Sequence, residues 1–218
     1  MNASGTTKST SAVPHASKLY QRLAPMYDAI WPAIASRRMG EAIEALDIAA
    51  GSRVLEVGVG TGISLKHYPL DCEIMGVDLS ESMLAEAQQR IEQRHWSHVE
   101  VQPMNAEQLE FEDDQFDVVT SFHTISVVSD PSRMMSEVVR VCRPGGHILI
   151  LNHFRSPNPV IASVVDRAGG WTRRLGWRTD LDSGKILEEL PLAVNNRYKT
   201  NPFSLFTILQ CTCEKQVC

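Results

Sequence analysis

A glycine-rich turn between two acidic residues carries the clearest chemical signal in this sequence. Glu56 ends an apolar segment that predicts a buried strand, and Asp78 ends the next such segment. The turn directly after Glu56 contains, in order, Gly58, Gly60, Thr61 and Gly62. Glycines at alternate positions let backbone amides approach a ligand, and the N-terminus of a following helix favours negative groups. The pattern predicts a nucleotide-type site in which Asp78, as an ionised carboxylate, accepts both ribose hydroxyls.

The spacing separates two kinds of nucleotide site. A dinucleotide fingerprint that begins at Gly58 and Gly60 needs its third glycine at position 63, which is Ile63. Glu56, the G-x-G-x-G turn and Asp78 together resemble a class I methyltransferase, which uses S-adenosylmethionine (SAM) and releases S-adenosylhomocysteine. The resemblance implies that Glu56 accepts a hydrogen bond from the amino end of SAM, directly or through water. A carboxylate that caps the next helix is the alternative.

Residues at the ends of later strands extend the predicted cofactor site. Leu79 and Met83 follow Asp78, and we expect Met83 either on the adenine ring or in the core. The resemblance implies that Asn105-Ala106-Glu107 contacts the adenine amino group, whereas an Asn105 that bonds its own loop is equally compatible with the sequence. His123, at the end of the fourth strand, is a candidate active-site residue, although a histidine in such a position is often structural.

Size, charge and cysteine pattern limit the class of protein. A chain of 218 residues fits one α/β domain, and its net charge of −5 argues against general nucleic-acid binding. The longest apolar runs, such as residues 203–209, are too short to span a bilayer, and the first residues show no secretory signal pattern. The five cysteines have no metal-binding spacing, so we expect reduced cytoplasmic thiols and no metal.

Strands and helices alternate from residue 53 to 152, which predicts a mostly parallel sheet with helices on both faces, as in Rossmann-like folds. The expected strands are 53–57, 73–77, 98–102, 116–121 and 146–152. The expected helical stretches are 62–68, 80–94 and 131–141. The tail, residues 191–213, predicts an antiparallel hairpin at the sheet edge, which brings the total to seven strands.

Two segments lie outside this alternation and are predicted to cover the site. Residues 1–14 are rich in Ser and Thr and predict a disordered tail, and residues 15–218 predict a single methyltransferase domain. Within that domain, we expect residues 15–48 to form an N-terminal helical lid or membrane segment. We expect residues 153–190 to form an insertion on the substrate side. Both can cover the crevice at the carboxyl ends of the strands, where open α/β sheets bind ligands.

Stretches beyond the SAM motifs narrow the resemblance. Tyr20, Leu23-Ala24-Pro25-Met26-Tyr27-Asp28 and the run 105–109 resemble the ubiquinone and menaquinone methyltransferases. Leu151-Asn152-His153-Phe154, Arg174-Leu175-Gly176-Trp177-Arg178 and the segment 201–207 resemble the Rhodobacter-type bacterial phospholipid N-methyltransferases. That family methylates phosphatidylethanolamine, and then its mono- and dimethyl forms, towards phosphatidylcholine. Gln210 and Cys211 stand where the resemblance implies a basic residue.

Two features suit a phospholipid substrate. Apolar residues recur at helical spacing through 18–31 beside Lys18 and Arg22, which predicts either an amphipathic segment at an anionic membrane surface or a lid helix. Candidate ligands of the lipid phosphate cluster near Trp171 and Trp177, and they are Arg167, Arg173, Arg174 and Arg178. A solvated helix face is the alternative for each arginine. We therefore expect a cytoplasmic protein peripherally associated with the inner face of the membrane.

Methyl transfer to an amine requires an unprotonated nitrogen aligned with the methyl–sulfur axis. The candidates for accepting the amine proton are Tyr20, Tyr27, His123 and His153, and we favour Tyr27 and His153 because both lie in the family-like stretches. Aromatic rings can also hold the methylated ammonium. The competing interpretations are a quinone-precursor C-methyltransferase, an ornithine-lipid N-methyltransferase and a non-catalytic SAM-binding module.

Overall fold

The computed structural model describes residues 35–154, 181–199 and 206–216. Contacts divide the chain into two compact units, Met1–Ala35 and Ser36–Cys218, and the second contains the whole sheet. Its helices are α1 (35–44), α2 (Glu81–Arg94), α3 (Pro131–Val141) and the short α4 (Ser183–Leu187). Its strands are β1 (Arg53–Val57), β2 (Glu73–Asp78), β3 (Val99–Pro103), β4 (Phe116–Phe122), β5 (Cys142–His153), β6 (Leu192–Tyr198) and β7 (Phe206–Cys213).

The seven strands form one sheet in the order β3-β2-β1-β4-β5-β7-β6. Strands β1 to β5 are parallel, and β7 runs antiparallel to both of its neighbours, β5 and β6. The predicted fold class is confirmed, and of the two strands of the C-terminal hairpin β6 lies at the sheet edge and β7 between β5 and β6. The chain moves outward from β1 to β3 and then returns to β4 on the other side of β1. Ligands of open α/β sheets bind at such a reversal, outside the carboxyl ends of the strands.

Local sequence explains where α2 and α3 begin. The Ser80 side chain accepts a hydrogen bond from the Met83 N–H at the start of α2. The Asp130 carboxylate accepts one from the Arg133 N–H at the start of α3, where Pro131 occupies the first turn. Both caps satisfy amides that have no partner within the helix. Because these signals are local, both helices agree closely with the predicted bounds.

Two elements differ from the prediction. The stretch 62–68 forms only a single 3₁₀ turn, Leu65–His67, so no helix N-terminus faces a ligand after the glycine turn. The Ser64 hydroxyl donates to Glu56 instead of capping a helix, and Pro69 follows within one turn. Strand β5 begins at Cys142 rather than at 146, since residues 143–146 bulge out between two paired positions on β4.

The apolar core lies between the sheet and α3. Met134, Met135 and Val138 of α3 are completely or almost completely buried against the central strands. Cys142, Cys211 and Cys213 join the same core as free thiols. Burial raises the pKa of Cys142 to about 12 and that of Cys211 to about 11, so both stay protonated and unreactive near neutral pH.

Candidate active site

The glycine turn joins the ends of three strands. The Gly58 and Val59 N–H groups both donate to the carbonyl oxygen of Val77 on β2, at 2.7 and 3.0 Å. Gly58 has a φ of +80°, and a Cβ atom there would collide with the side chain of Thr124, which follows β4. The Thr124 hydroxyl in turn donates to the Val57 carbonyl oxygen at 3.2 Å. The absence of a side chain at Gly58 therefore lets the ends of β1, β2 and β4 meet.

Asp78 lies at this junction, and only about half of the acceptor positions of its carboxylate are used within the protein. Its Oδ2 accepts from the Gly60 N–H, and its Oδ1 from the Ser80 N–H, both at 2.9 Å. An ionised carboxylate has about four acceptor positions, so about two remain available, one on each oxygen. Gly60 has a φ of +54°, and the space that a Cβ would occupy contains no atom closer than Met83 Sδ at 3.8 Å. A ligand with two adjacent hydroxyls can therefore approach Asp78 across Gly60.

A cavity of about 630 Å³ opens at this place, and its volume suits a small-molecule cofactor. Its wall brings together most of the predicted cofactor residues, which are Gly58, Gly60, Asp78, Leu79, Met83, Asn105, Ala106 and Glu107. The wall also includes His123, Thr124 and Val127. Leu79 is 75% exposed and Met83 46%, so an apolar rim is available to a flat ring. Glu56, Thr61 and Gly62 do not belong to this cavity's lining.

Two polar residues in the loop after β3 already have partners within the protein. The Asn105 Oδ1 accepts from the Glu107 N–H at 2.9 Å, which is the loop-internal bond considered as the alternative. The Glu107 Oε1 accepts from the Ser129 and Asp130 N–H groups, at 2.6 and 3.0 Å, just before α3. Glu107 thus ties the cavity wall to the start of α3. A contact of either side chain with the adenine stays a prediction.

Glu56 lies beneath the glycine turn in a buried hydroxyl network. It is 1% exposed; Ser64 Oγ donates to its Oε1 at 2.6 Å, and the Tyr68 hydroxyl donates to its Oε2 at 2.8 Å. The Tyr68 oxygen also lies 2.6 Å from Thr120 Oγ1. Burial raises the pKa of Glu56 to about 7, although the two hydrogen bonds oppose this rise. Burial likewise raises the pKa of Tyr68 well above 10, so this hydroxyl remains a donor.

This network is the part of the site that the sequence did not reveal. Thr120 lies opposite Glu56 only because β1 and β4 pair in that register. Ser64 follows the glycine turn closely in the sequence, yet nothing local linked it to Glu56. The contact between Glu56 and the amino end of SAM stays a prediction. The hydrogen bonds themselves give Glu56 a role in holding the segment 64–68 under the turn.

His123 combines a left-handed backbone with a buried ring. Its φ is +61°, and its N–H donates to the Leu151 carbonyl oxygen at 2.8 Å. Its ring packs edge-on against Phe206, with 4.8 Å between centroids. Burial and, to a smaller extent, the charge of Arg38 lower the pKa of His123 to about 4, so the imidazole is neutral at pH 7. Within the described part of the chain, its Nε2 is buried and has no hydrogen-bond partner.

The side chains of the other predicted catalytic and substrate-binding residues lie outside the described part of the structure. His153 is the last residue of β5, opposite Phe206 of β7, and its side chain is outside the described atoms. Tyr20 and Tyr27 lie outside the described residues. So do the candidate phosphate ligands, which are Arg167, Arg173, Arg174 and Arg178. Their proposed roles stay predictions. Among the described residues, no group of three or more His, Cys, Asp and Glu side chains is arranged to hold a metal ion.

Comparison with solved structures identifies the fold. YcgJ from Bacillus subtilis superimposes with a TM-score of 0.69 over 82% of this chain and 98% of its own, at 17% sequence identity. The [4+2]-cyclase SpnF superimposes with a TM-score of 0.70 over 90% of this chain and 95% of its own, at 18% identity. At these identities the similarity shows the fold and not the reaction.

Sequence comparison identifies the family. Residues 55–150 match the methyltransferase domain family. The phosphatidylethanolamine N-methyltransferase of Cereibacter sphaeroides is 39% identical over 163 residues, which are 74% of this chain and 80% of that protein. The ubiquinone/menaquinone biosynthesis C-methyltransferase UbiE of Hahella chejuensis is 27% identical over 72% of this chain and 67% of its own length. The chain is therefore a SAM-dependent methyltransferase and belongs to the Rhodobacter-type bacterial phosphatidylethanolamine N-methyltransferase family of the class I methyltransferases.

Proposed function

We propose that this protein methylates the amine of phosphatidylethanolamine, and then its mono- and dimethyl forms, towards phosphatidylcholine at a membrane surface. The observation that carries the proposal is the 39% identity, over most of both chains, to a phosphatidylethanolamine N-methyltransferase. The neutral imidazole of His123 suits an amine substrate, because in the tautomer that carries its proton on Nδ1 the buried Nε2, which has no partner among the described residues, is a hydrogen-bond acceptor.

The cavity residues fit SAM in the following arrangement. The two remaining acceptor positions of Asp78 receive the ribose hydroxyls, and the exposed side chains of Leu79 and Met83 cover the adenine. At Gly60 the space that a side chain would occupy is open, so the ligand can approach the backbone of the turn there. Bound SAM supplies a methyl group activated by its sulfonium. The remaining steps depend on how the protein presents the substrate nitrogen to that methyl.

His123 orients the amine rather than taking its proton. A nitrogen with a pKa near 4 is a weak base, so protonating it inside this wall is unfavourable at pH 7. It can nevertheless accept a hydrogen bond from an amine N–H and thereby direct the nitrogen lone pair towards the cavity. We propose His153 and Tyr27 as the groups that lead the proton away, with Tyr20 as the substitute. In this proposal one residue orients the amine by a hydrogen bond, and other residues accept its proton.

Binding to an anionic membrane is the remaining part of the proposal. The amphipathic pattern of residues 18–31 and the arginines at 167, 173, 174 and 178 support it by their composition. In the portion of the chain that the structure covers, no helix has both the length and the apolar character needed to cross a membrane. We therefore propose attachment from one side of the membrane through cationic and interfacial aromatic side chains.

A second candidate function is C-methylation of a quinone precursor. The demethylmenaquinone methyltransferase of Bacillus mycoides is 31% identical over 61% of this chain and 60% of its own length, which supports this alternative. The higher identity to the phosphatidylethanolamine N-methyltransferase, over a larger share of both chains, favours the amine substrate. Methylation of another aminolipid, such as an ornithine lipid, would use the same acceptor on His123.

The test compares substrate classes under one set of conditions. Purified protein is incubated with SAM labelled in its methyl group and with phosphatidylethanolamine, dimethyl-phosphatidylethanolamine, an ornithine lipid or demethylmenaquinone kept in its reduced quinol form, in mixed micelles. Thin-layer chromatography should show labelled phosphatidylcholine from the first two lipids and no labelled quinone. Expression in a host that lacks phosphatidylcholine should also produce this lipid. Label in the quinone but not in the phospholipids would overturn the proposal in favour of the second candidate.

A further inference from the structure

Arg38 is a half-buried cation without an anionic partner among the described residues. Its guanidinium carbon lies 5.7 Å from the ring centroid of Phe206, and it forms no ion pair or hydrogen bond with another described side chain. The adjacent Arg37 is different, since its side chain is 82% exposed and its Nε lies 2.8 Å from Glu41 Oε1. A partly buried charge is costly unless it is paired. Arg38 is therefore available to an anion that arrives with a ligand.

The position of Arg38 relates this cation to the active site. Phe206 begins β7 and pairs with His153, so its ring lies at the edge formed by the carboxyl ends of β4 and β5. The same ring packs edge-on against His123, whose imidazole contributes to the cavity wall. The charge of Arg38 also reaches the imidazole, where it helps to lower the pKa. Arg38, Phe206 and His123 thus form a continuous row of side chains along this edge.

We propose that Arg38 binds the phosphodiester of the aminophospholipid whose amine lies at His123; this rests on the proposed function. Guanidinium groups match phosphate geometry and form charge-assisted hydrogen bonds to it. The inference adds a residue of α1 to the substrate site and makes it a determinant of specificity. A lipid with the same amine but without the phosphate loses this contact.

The dimensions of the head group fit this row. Four covalent bonds separate phosphorus from nitrogen, which at about 1.5 Å a bond gives roughly 5 Å between them when extended. A hydrogen bond at each end adds roughly 3 Å. The rings of Phe206 and His123 are 4.8 Å apart, and the guanidinium lies 5.7 Å from Phe206. The separation between the guanidinium and the imidazole is therefore at most the sum of these two distances. The head group, with a hydrogen bond at each end, can span that separation.

The experiment compares Arg38→Gln and Arg38→Lys with Arg37→Gln as the matched control. Each protein is assayed as the full chain on phosphatidylethanolamine and on a phosphate-free aminoethyl ether of diacylglycerol, in the same mixed micelles. Arg38→Gln should raise KM for the phospholipid by about ten- to hundredfold, the loss expected for one charged hydrogen bond, while kcat changes much less. The KM of Arg38→Lys should lie between those of Arg38→Gln and the wild type. Lysine keeps the positive charge but cannot form the two parallel hydrogen bonds of a guanidinium. SAM affinity, measured by calorimetry, should be unchanged in all three variants.

The phosphate-free lipid distinguishes binding from packing. If Arg38 binds the phosphodiester, Arg38→Gln and the wild type should methylate that lipid equally well. An equal loss on both lipids would overturn the inference and assign Arg38 to the packing of Phe206. Kinetics of Arg38→Gln identical to those of Arg37→Gln would also overturn it while leaving the proposed function intact. A wild-type protein that methylates neither lipid would refute the proposed function itself. Should Arg38→Gln fail to fold, the KM of Arg38→Lys on the two lipids decides between the same outcomes.

Discussion

Replacing Glu56 with glutamine should remove a pH-dependent cost from the folded protein. Burial raises the pKa of Glu56 to about 7 from an ordinary value of 4.5. A group whose pKa is raised by folding contributes stability that is fully present below pH 4.5 and is lost as the pH rises to about 7. Each pKa unit corresponds to about 1.4 kcal/mol, so the free energy of unfolding should lose roughly 2–3 kcal/mol between pH 5 and pH 8 on account of Glu56.

The glutamine variant can keep the network. Its amide oxygen accepts from Ser64, and its NH₂ group donates to the Tyr68 oxygen while Tyr68 donates to Thr120, an arrangement that the 2.6 Å contact allows. Near pH 5 we therefore expect Glu56→Gln and the wild type to have similar free energies of unfolding. At pH 8 the variant should be more stable by roughly 2–3 kcal/mol, because only the wild type contains a buried carboxylate.

The pH dependence of wild-type stability does not by itself reveal the contribution of Glu56, because His123 also contributes to it. Folding lowers its pKa from 6.5 to about 4, so its contribution to stability is present above pH 6.5 and is lost as the pH falls to 4. This trend is opposite in sign to that of Glu56 over a similar pH range, and the two largely cancel in the wild type. The difference between the variant and the wild type removes the contribution of His123, because both proteins contain it.

The assay is urea unfolding of the wild type, Glu56→Gln and the control Glu86→Gln at several pH values from 5 to 8. Glu86 is an exposed residue of α2, so its substitution controls for the removal of one carboxylate and should change the free energy of unfolding little. For Glu56→Gln the difference should grow steadily with pH and level off above pH 7. A difference that stays constant over this range would refute the buried, high-pKa description of Glu56.

The remaining predictions concern the affinity for the cofactor, the residues that accept the amine proton and the binding to membranes. Asp78→Ala should weaken SAM binding about ten- to hundredfold in calorimetry, with an unchanged circular dichroism spectrum, because the ribose hydroxyls lose a charged partner; unaltered affinity would contradict the assignment. Tyr27→Phe and His153→Ala should slow methylation of phosphatidylethanolamine by about 10²–10⁴-fold and leave SAM binding intact. Their effect on the dimethyl lipid, whose tertiary amine releases no proton after it has accepted the methyl group, should differ, and normal rates on both lipids would make these residues structural. The full-length protein should co-sediment with anionic vesicles, and less so at high salt; equal sedimentation with neutral vesicles would argue against the basic interfacial surface.

Features that depend on near neighbours along the chain could be predicted from the amino-acid sequence. The apolar strands, the capped starts of α2 and α3 and the position of Asp78 after β2 agree with the structure because each follows from local spacing and turn chemistry. The convergence of Gly58, Asp78 and Asn105 on one cavity was also predictable. It follows from the rule that carboxyl ends of parallel strands lie at one edge of a sheet.

Which of these groups remain available to a ligand depends on tertiary packing and could not be predicted from local patterns. Glu56 is occupied by Tyr68 and Ser64, and Glu107 by the backbone before α3, whereas Asp78 keeps two acceptor positions. The partners are distant in sequence or come from elements whose pairing local patterns do not encode, as in the contact of Thr120 with Tyr68 and in the row from Arg38 to His123. Hydrogen bonding and burial depend on all atoms around a group, so a residue's chemistry is set only when the distant segments have packed around it.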